Sequence, residues 1–226
     1  MRAGEILGIS GLVGAGRTET LRVVYGLGRR AQGDIRVVRY GGTVEKPTPP
    51  GMIGMGVSFL SEDRKNEGIA LERSIAENIT LSRLGGIASW GLVPDRTINR
   101  ISEGWVERLS IKVGAVTDKV SSLSGGNQQK VAIARLLEEN ADIFLLDEPT
   151  RGIDVGSKVE IFKLIGELAA RGKAVVIVSS YLPELLGVCD TIAVMHRGVL
   201  GPKRPVAEVD EFSIMNEATS GIEGTV

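Results

Sequence analysis

The sequence has one cysteine, one histidine and few aromatics, which make up 4% of its 226 residues. A lone Cys189 excludes an internal disulfide, and no Cys/His group has zinc spacing. Cys189 is expected to be a small buried apolar residue. His196 lies at the end of a strand-like run and reads as a surface turn residue. An excess of one charge is also missing. Lysine and arginine total 27 against 28 acidic residues, so no basic surplus marks a nucleic-acid surface. No apolar run approaches the roughly 20 residues of a membrane span. Any membrane role is therefore expected to come through a partner. Glycine, in contrast, is abundant at 30 residues. Its scatter among periodic segments reads as tight turns and close backbone approaches, not low complexity.

Short runs rich in Val and Ile alternate with helical patterns. The strand-like runs are residues 5–10, 34–38, 57–60, 142–147, 174–179 and 191–195. Three contain Ile143-Phe144-Leu145-Leu146, Val175-Val176-Ile177-Val178 and Ile192-Ala193-Val194-Met195, apolar at every position. That is the pattern of strands covered on both faces. Helical stretches fall at 18–25, 126–139 and 155–171. The alternation predicts an α/β fold with a mainly parallel sheet. Residues 75–122 break it: they read as helical, with glycine breaks at Gly85-Gly86 and Gly91. They are expected to form a helical subdomain inserted in the α/β core of a single domain, 1–226. Pro47-Thr48-Pro49-Pro50 reads as a rigid surface connection.

The first strand-like run enters Gly11-Leu12-Val13-Gly14-Ala15-Gly16-Arg17-Thr18-Glu19, which opens a helix. Gly, four residues, Gly, a cation and Thr is the spacing of a phosphate-binding loop. Gly14 and Gly16 let backbone N–H groups curl round an anion, and the helix N-terminus adds its positive dipole end. Thr18 is placed to bind Mg²⁺. The cation is Arg17 where such loops carry Lys, a planar fork in place of a point charge. A dinucleotide loop would need glycine at 19, which is Glu19. A plain glycine-rich turn is the other alternative.

The run 142–147 delivers Asp147-Glu148-Pro149. Two carboxylates at the end of a buried strand suit Mg²⁺ orientation by Asp147 and polarisation of an attacking water by Glu148. The alternative is a pair of solvated loop acids. Leu123-Ser124-Gly125-Gly126-Asn127-Gln128-Gln129-Lys130 starts another helix. Its glycines and helix dipole make a second candidate anion site, or Ser124 is an ordinary N-cap.

This order of motifs over nearly the whole chain resembles the ATP-binding cassette family. The P-loop NTPase-like fold and the cofactors ATP and Mg²⁺ follow from that resemblance. So does the head-to-tail pairing in which Ser124, Gly125, Gly126 and Gln129 touch the partner's nucleotide. The phosphate loop, Ser61-Glu62-Asp63-Arg64-Lys65 and Glu148-Pro149-Thr150-Arg151-Gly152-Ile153-Asp154 look together like the second cassette of bacterial monosaccharide importers of the ribose, xylose and galactose type. The resemblance implies a fragment of a longer tandem chain, whose preceding segment carries the aromatic that stacks on adenine. It implies three partners: a sister N-terminal nucleotide-binding domain, transmembrane permease subunits and, indirectly, a periplasmic sugar-binding protein. It places the protein on the cytoplasmic face of the inner membrane. The permease contact is expected on residues 63–81 with the helical lobe.

Carried over position by position, Asp147 and Glu148 match the metal-binding and water-activating acids. Asp154 matches the loop that crosses to the partner, and it also suits an N-cap. Arg17 departs from the family's Lys. Glu62 stands where a Gln reaches Mg²⁺ and the water; it is a candidate ligand or a solvated acid in the charged loop 62–67. Ser180 stands where a His senses the γ-phosphate, and it also suits the cap of the next helix. These changes predict slow turnover by this half alone. The competing readings are a regulatory half that clamps ATP without hydrolysis, and a cassette serving translation or DNA repair.

Overall fold

The computed structural model describes residues 1–38, 42–88 and 92–221. In chain order it contains β1 (Ile6–Gly11), α1 (Arg17–Tyr25), β2 (Ile35–Val37), β3 (Gly42–Val44), α2 (Pro49–Gly54) and β4 (Val57–Leu60). A π-helical turn, Arg64–Gly68, precedes α3 (Ile75–Thr80), α4 (Leu84–Ile87), α5 (Asp95–Arg108) and α6 (Gly125–Glu138). There follow β5 (Ile143–Asp147), α7 (Val155–Ala170), β6 (Ala174–Val178), α8 (Leu182–Val188) and β7 (Thr191–His196). The chain ends with β8 (Val199–Leu200), β9 (Arg204–Pro205) and α9 (Glu211–Ser220). Two compact units are present. The first is Met1–Phe59, Asp142–Pro149 and Phe162–Val226; the second is Leu60–Ala141 and Thr150–Ile161.

The first unit is built on a sheet ordered β4-β5-β6-β1-β7-β8, with β9 also paired to β7. Strand β1 runs parallel to both its neighbours, β6 and β7, and β5 runs parallel to β6. The mainly parallel sheet expected from the alternation is therefore present. Its register sets Ile9, Val178 and Asp147 in one row across three strands. The C-terminal ends of β1, β5 and β6 thus share an edge, the edge where ligands gather in open α/β sheets. Strand β6 is buried at every position. Leu21, Tyr25, Met52, Val57, Leu145, Val176 and Met195 pack in one cluster of this unit. Full burial of a side chain such as Leu21, 2% exposed, contributes about 2 kcal/mol.

Five of the six strand-like runs join this sheet. Residues 34–38 do not: β2 pairs antiparallel with β3 in a separate two-stranded sheet. A single run cannot reveal its sheet, because a distant partner decides the pairing. The proline stretch is also corrected. Pro49 starts α2, and Thr48 caps it by accepting from the Gly51 N–H at 3.3 Å. Proline suits a first helical position, where its missing N–H has no bond to make.

The second unit is helical in its described residues apart from short connections. Helix α3 starts on a capping box: Ser74 Oγ accepts from the Glu77 N–H at 3.1 Å, and Glu77 accepts from the Ser74 N–H at 2.8 Å. Ile75, Ile79, Val120 and Val131 are fully buried in this unit. Gly85 and Gly86 lie inside α4 and do not interrupt it; Gly91 lies outside the described residues. The charged stretch 62–67 is not an open loop. It enters the π-helical turn, which Asp63 caps by accepting from the Asn66 N–H at 3.1 Å. Among the described residues, no helix is long and apolar enough to cross a membrane.

Candidate functional site

In the first unit, β1 ends at Gly11 and the chain curls through Gly14 and Ala15 to Gly16, the N-cap of α1. Gly11, Gly14 and Gly16 have φ of 155°, 82° and 101°, which side-chain-bearing residues adopt only with strain. At Gly11 space is a second constraint, since a Cβ there would lie 2.4 Å from the Met195 carbonyl oxygen. The loop is tied down where the Gly198 N–H donates to the Ala15 carbonyl at 2.8 Å. No side chain caps α1, and Glu19 stands in its first turn. Its first N–H groups lack intrahelical acceptors and face outward at the positive end of the helix. The arrangement can hold an anion.

Asp147, at the end of β5, is fully buried, and neither carboxylate oxygen has a hydrogen-bond partner. Burial pushes its carboxyl up to about 6; Glu148 and Glu19 act the same way, while the Thr18 hydroxyl and Arg17 oppose it. Thr18 acts from nearby without meeting hydrogen-bond geometry. An orphaned buried carboxylate is costly, and a hard divalent cation between Asp147 and Thr18 would relieve that cost.

The same burial gives a pH signature. The raised pKa means that folding favours the protonated form, so the metal-free chain loses stability as pH rises from about 4 through 6. Asp147→Asn removes the charge. In EDTA it is expected to be more stable than wild type by about 3 kcal/mol at pH 8, and by roughly half that at pH 5. Chemical denaturation at the two pH values measures the difference. A gap that does not change with pH contradicts this account.

Glu148 has φ of 47°, left-handed backbone that is uncommon outside glycine. Its N–H extends the ladder to the Val178 carbonyl at 2.9 Å. Its Oε1 accepts from the Ser180 N–H at 2.6 Å and lies 3.8 Å from Arg17 Nη2. Arg17 is buried, and its Nη1 donates to the Ser179 carbonyl at 2.7 Å. The loop cation therefore engages the end of β6 and the second acid. Ser180 is not the cap of α8; that position belongs to Tyr181, because the chain stays extended one residue further. Ser179 was missing from the sequence reading. Its Oγ accepts from the Tyr181 N–H at 3.1 Å. A serine at a strand end carries no signal of such a contact.

In the second unit, Ser124 caps α6, with its Oγ accepting from Asn127 Nδ2 at 3.1 Å. A Cβ on Gly126 would lie 3.0 Å from Ser157 Oγ and 3.1 Å from Asp154 Oδ2, so glycine is set by close approach. Asp154 accepts from the Ser157 N–H at 3.0 Å and from its hydroxyl at 2.8 Å. The Ser157 backbone bond holds the Asp154 carboxyl below its usual range. Glu62 forms an ion pair with Arg151. Gln129 is buried in α6.

Two other expectations resolve in the first unit. Cys189 is buried, and burial pushes its thiol up to about 12. His196 ends its strand, β7, as expected, but it is half-buried and not a surface turn residue, with Nδ1 2.8 Å from the Ala218 carbonyl.

A family model described as "ABC transporter" matches residues 1–151. The chain is 43% identical over 221 residues to "Ribose import ATP-binding protein RbsA" of Lactococcus lactis subsp. cremoris, covering 98% of this chain and 44% of that protein. It is 47% identical over 230 residues to "Ribose import ATP-binding protein RbsA 3" of Rubrobacter xylanophilus, covering 100% and 45%. It thus spans less than half the length of these relatives. Among solved structures, a dimeric ATP-binding cassette in a post-hydrolysis state, bound to ADP and Pi, superposes with a TM-score of 0.78 at 22% identity, covering 91% and 87%. A nucleotide-free cassette gives 0.76 at 21% identity, covering 95% and 84%. These two likenesses are of fold.

Proposed function

Because this chain belongs to the ABC transporter family, we propose that it is one nucleotide-binding half of a tandem-cassette ATPase energising a bacterial monosaccharide importer. The observation that carries the reading is the carboxylate pair. Asp147 is buried and unpartnered, and Glu148 is held by the Ser180 N–H beside Arg17. Both stand on the sheet edge that bears the phosphate loop.

Gly11, Gly14, Ala15, Gly16, Arg17, Thr18 and Glu19 cradle the phosphates of ATP. Thr18 and Asp147 hold Mg²⁺, and in the second unit Glu62, paired with Arg151, keeps the metal-ligand role that the resemblance implies. The bound ion supplies charge neutralisation on the phosphates. Glu148 is the general base. Its Oε1 takes the Ser180 N–H and faces Arg17, which leaves Oε2 for the attacking water. Ser180 acts through its main chain, orienting that carboxylate. Arg17 must leave the Ser179 carbonyl to reach a γ-phosphate, and this step supports slow hydrolysis by the isolated half. Ser124, Gly125, Gly126 and Gln129 serve the nucleotide held by the partner cassette, and Asp154 lies in the loop that crosses to it.

The partners are the sister N-terminal cassette on the same polypeptide, the permease subunits and, through them, a periplasmic sugar-binding protein. The site of action is the cytoplasmic face of the inner membrane. The names of the relatives make ribose the first sugar to test. The purified chain is expected to bind ADP and a non-hydrolysable ATP analogue with Mg²⁺ at similar affinity, and to turn over ATP below about 1 s⁻¹, under the ordinary enzyme range. Calorimetric titration and a phosphate-release assay measure both. No nucleotide binding would sink the function itself; turnover above that rate would sink the dependence on the sister half.

A further inference from the structure

Arg64 opens the π-helical turn Arg64–Gly68 and has no role in the chemistry above. Its Nη1 donates to the Gly125 carbonyl at 2.9 Å and lies 3.3 Å from Gln129 Oε1. These acceptors sit one helical turn apart at the start of α6, so one guanidinium spans the first turn of that helix. Its Nη2 lies 3.3 Å from the place a Gly125 Cβ would occupy. A side chain at 125 would press on the guanidinium and equally on the Gly152 carbonyl oxygen, also 3.3 Å away. Nε is buried without a hydrogen-bond partner. Leaving a buried donor unpaired is costly, which argues that the fork is held for its contact with α6.

The base of this contact is itself pinned. Asp63 accepts from the Asn66 N–H at 3.1 Å and from Asn66 Nδ2 at 2.8 Å. Ser61 Oγ donates to Glu67 at 2.7 Å. At the other end Ser124 caps α6, its Oγ accepting from Asn127 Nδ2 at 3.1 Å. Two consecutive glycines begin α6 and bring no side chain to lock the first turn. A helix N-terminus binds an anion only while its N–H groups stay aimed at it.

We propose that Arg64 is a positioning residue for the Ser124–Gly126 turn, which it holds in the orientation that meets the partner's nucleotide. The idea rests on the reading that this turn serves the partner's site. It makes the aim of the turn depend on the Arg64–Gly68 segment, so a subunit that shifts that segment also shifts the turn.

The test uses the full-length protein containing this chain, assembled with its permease, and steady-state hydrolysis of MgATP. Arg64→Gln is expected to lower kcat about tenfold, the order set by one charge-assisted hydrogen bond. KM should stay within about twofold, because the phosphate loop still binds its own ATP. Arg64→Lys keeps one donor to the Gly125 carbonyl and should restore about a third of the activity or more. The proposal is overturned if Arg64→Gln keeps kcat within twofold. It is also overturned if Gln and Lys are equally impaired with KM altered in step, the mark of a structural role alone. Ser124→Arg separates the two levels. If it is inactive while Arg64→Gln is not, only the proposal fails. If it is fully active, the reading of the turn fails and takes the proposal with it.

Discussion

Glu148→Gln is expected to cut ATP hydrolysis by the assembled pair about 10³-fold, within the range for losing a general base, while ATP still binds. Glutamine has nearly the shape of glutamate. Its amide oxygen can accept the Ser180 N–H that now donates to Oε1 at 2.6 Å. What it loses is basicity toward water and the charge that faces Arg17 Nη2 at 3.8 Å. The phosphate loop and Asp147 are untouched, so nucleotide should accumulate uncleaved on the variant. Single-turnover hydrolysis, with analysis of the bound nucleotide, separates binding from chemistry. Turnover and transport within tenfold of wild type would favour the regulatory reading, in which this half clamps ATP without splitting it.

The second large effect is on stability. Gly11→Ala puts a methyl group 2.4 Å from the Met195 carbonyl oxygen, on a residue with φ of 155°. Neither the strand β7 nor the loop can yield easily, because β1 and β7 pair through Gly11 and Met195 themselves. A cost of about 3 kcal/mol follows from overpacking and backbone strain together. For a chain of this size that lowers the melting temperature by about 6–12 °C. Gly14→Ala is the control. Nothing lies within 4 Å of its Cβ position and only φ of 82° opposes it, so its cost is about 1 kcal/mol. Thermal melts of the two variants check the contrast. Equal shifts would mean that the approach to Met195 is not the limiting contact.

These contrasts show what a sequence can carry. The phosphate loop is legible because its function demands glycines and a cation at fixed spacing beside a strand. The Asp147–Glu148 pair is legible because two acids at the end of an apolar run have no role in a core. The runs at 143–146, 175–178 and 192–195 are legible because strands covered on both faces must be apolar throughout. Side-chain direction is not written in that code. Nothing in the spacing says that Arg17 turns toward the Ser179 carbonyl, or that Ser180 meets Glu148 through its N–H. Sheet membership is also non-local, which is why nothing within residues 34–38 marks the separate two-stranded sheet that β2 forms with β3. Helix α9 was accessible in principle. Asp210 and Ser213 form a reciprocal cap, and Ile214 and Ala218 are buried at helical spacing.

The left-handed backbone at Glu148 sets two selective pressures against each other. Glycine adopts φ of 47° without strain and would relieve about 1 kcal/mol at that position. Selection for persistence of the fold therefore draws position 148 toward glycine, while selection for turnover holds it at glutamate. The trade-off between stability and activity is concentrated in one residue. A lineage or a design campaign that rewards only backbone ease will lose its acid there, and with it the acceptor for the Ser180 N–H and the charge facing the buried Arg17.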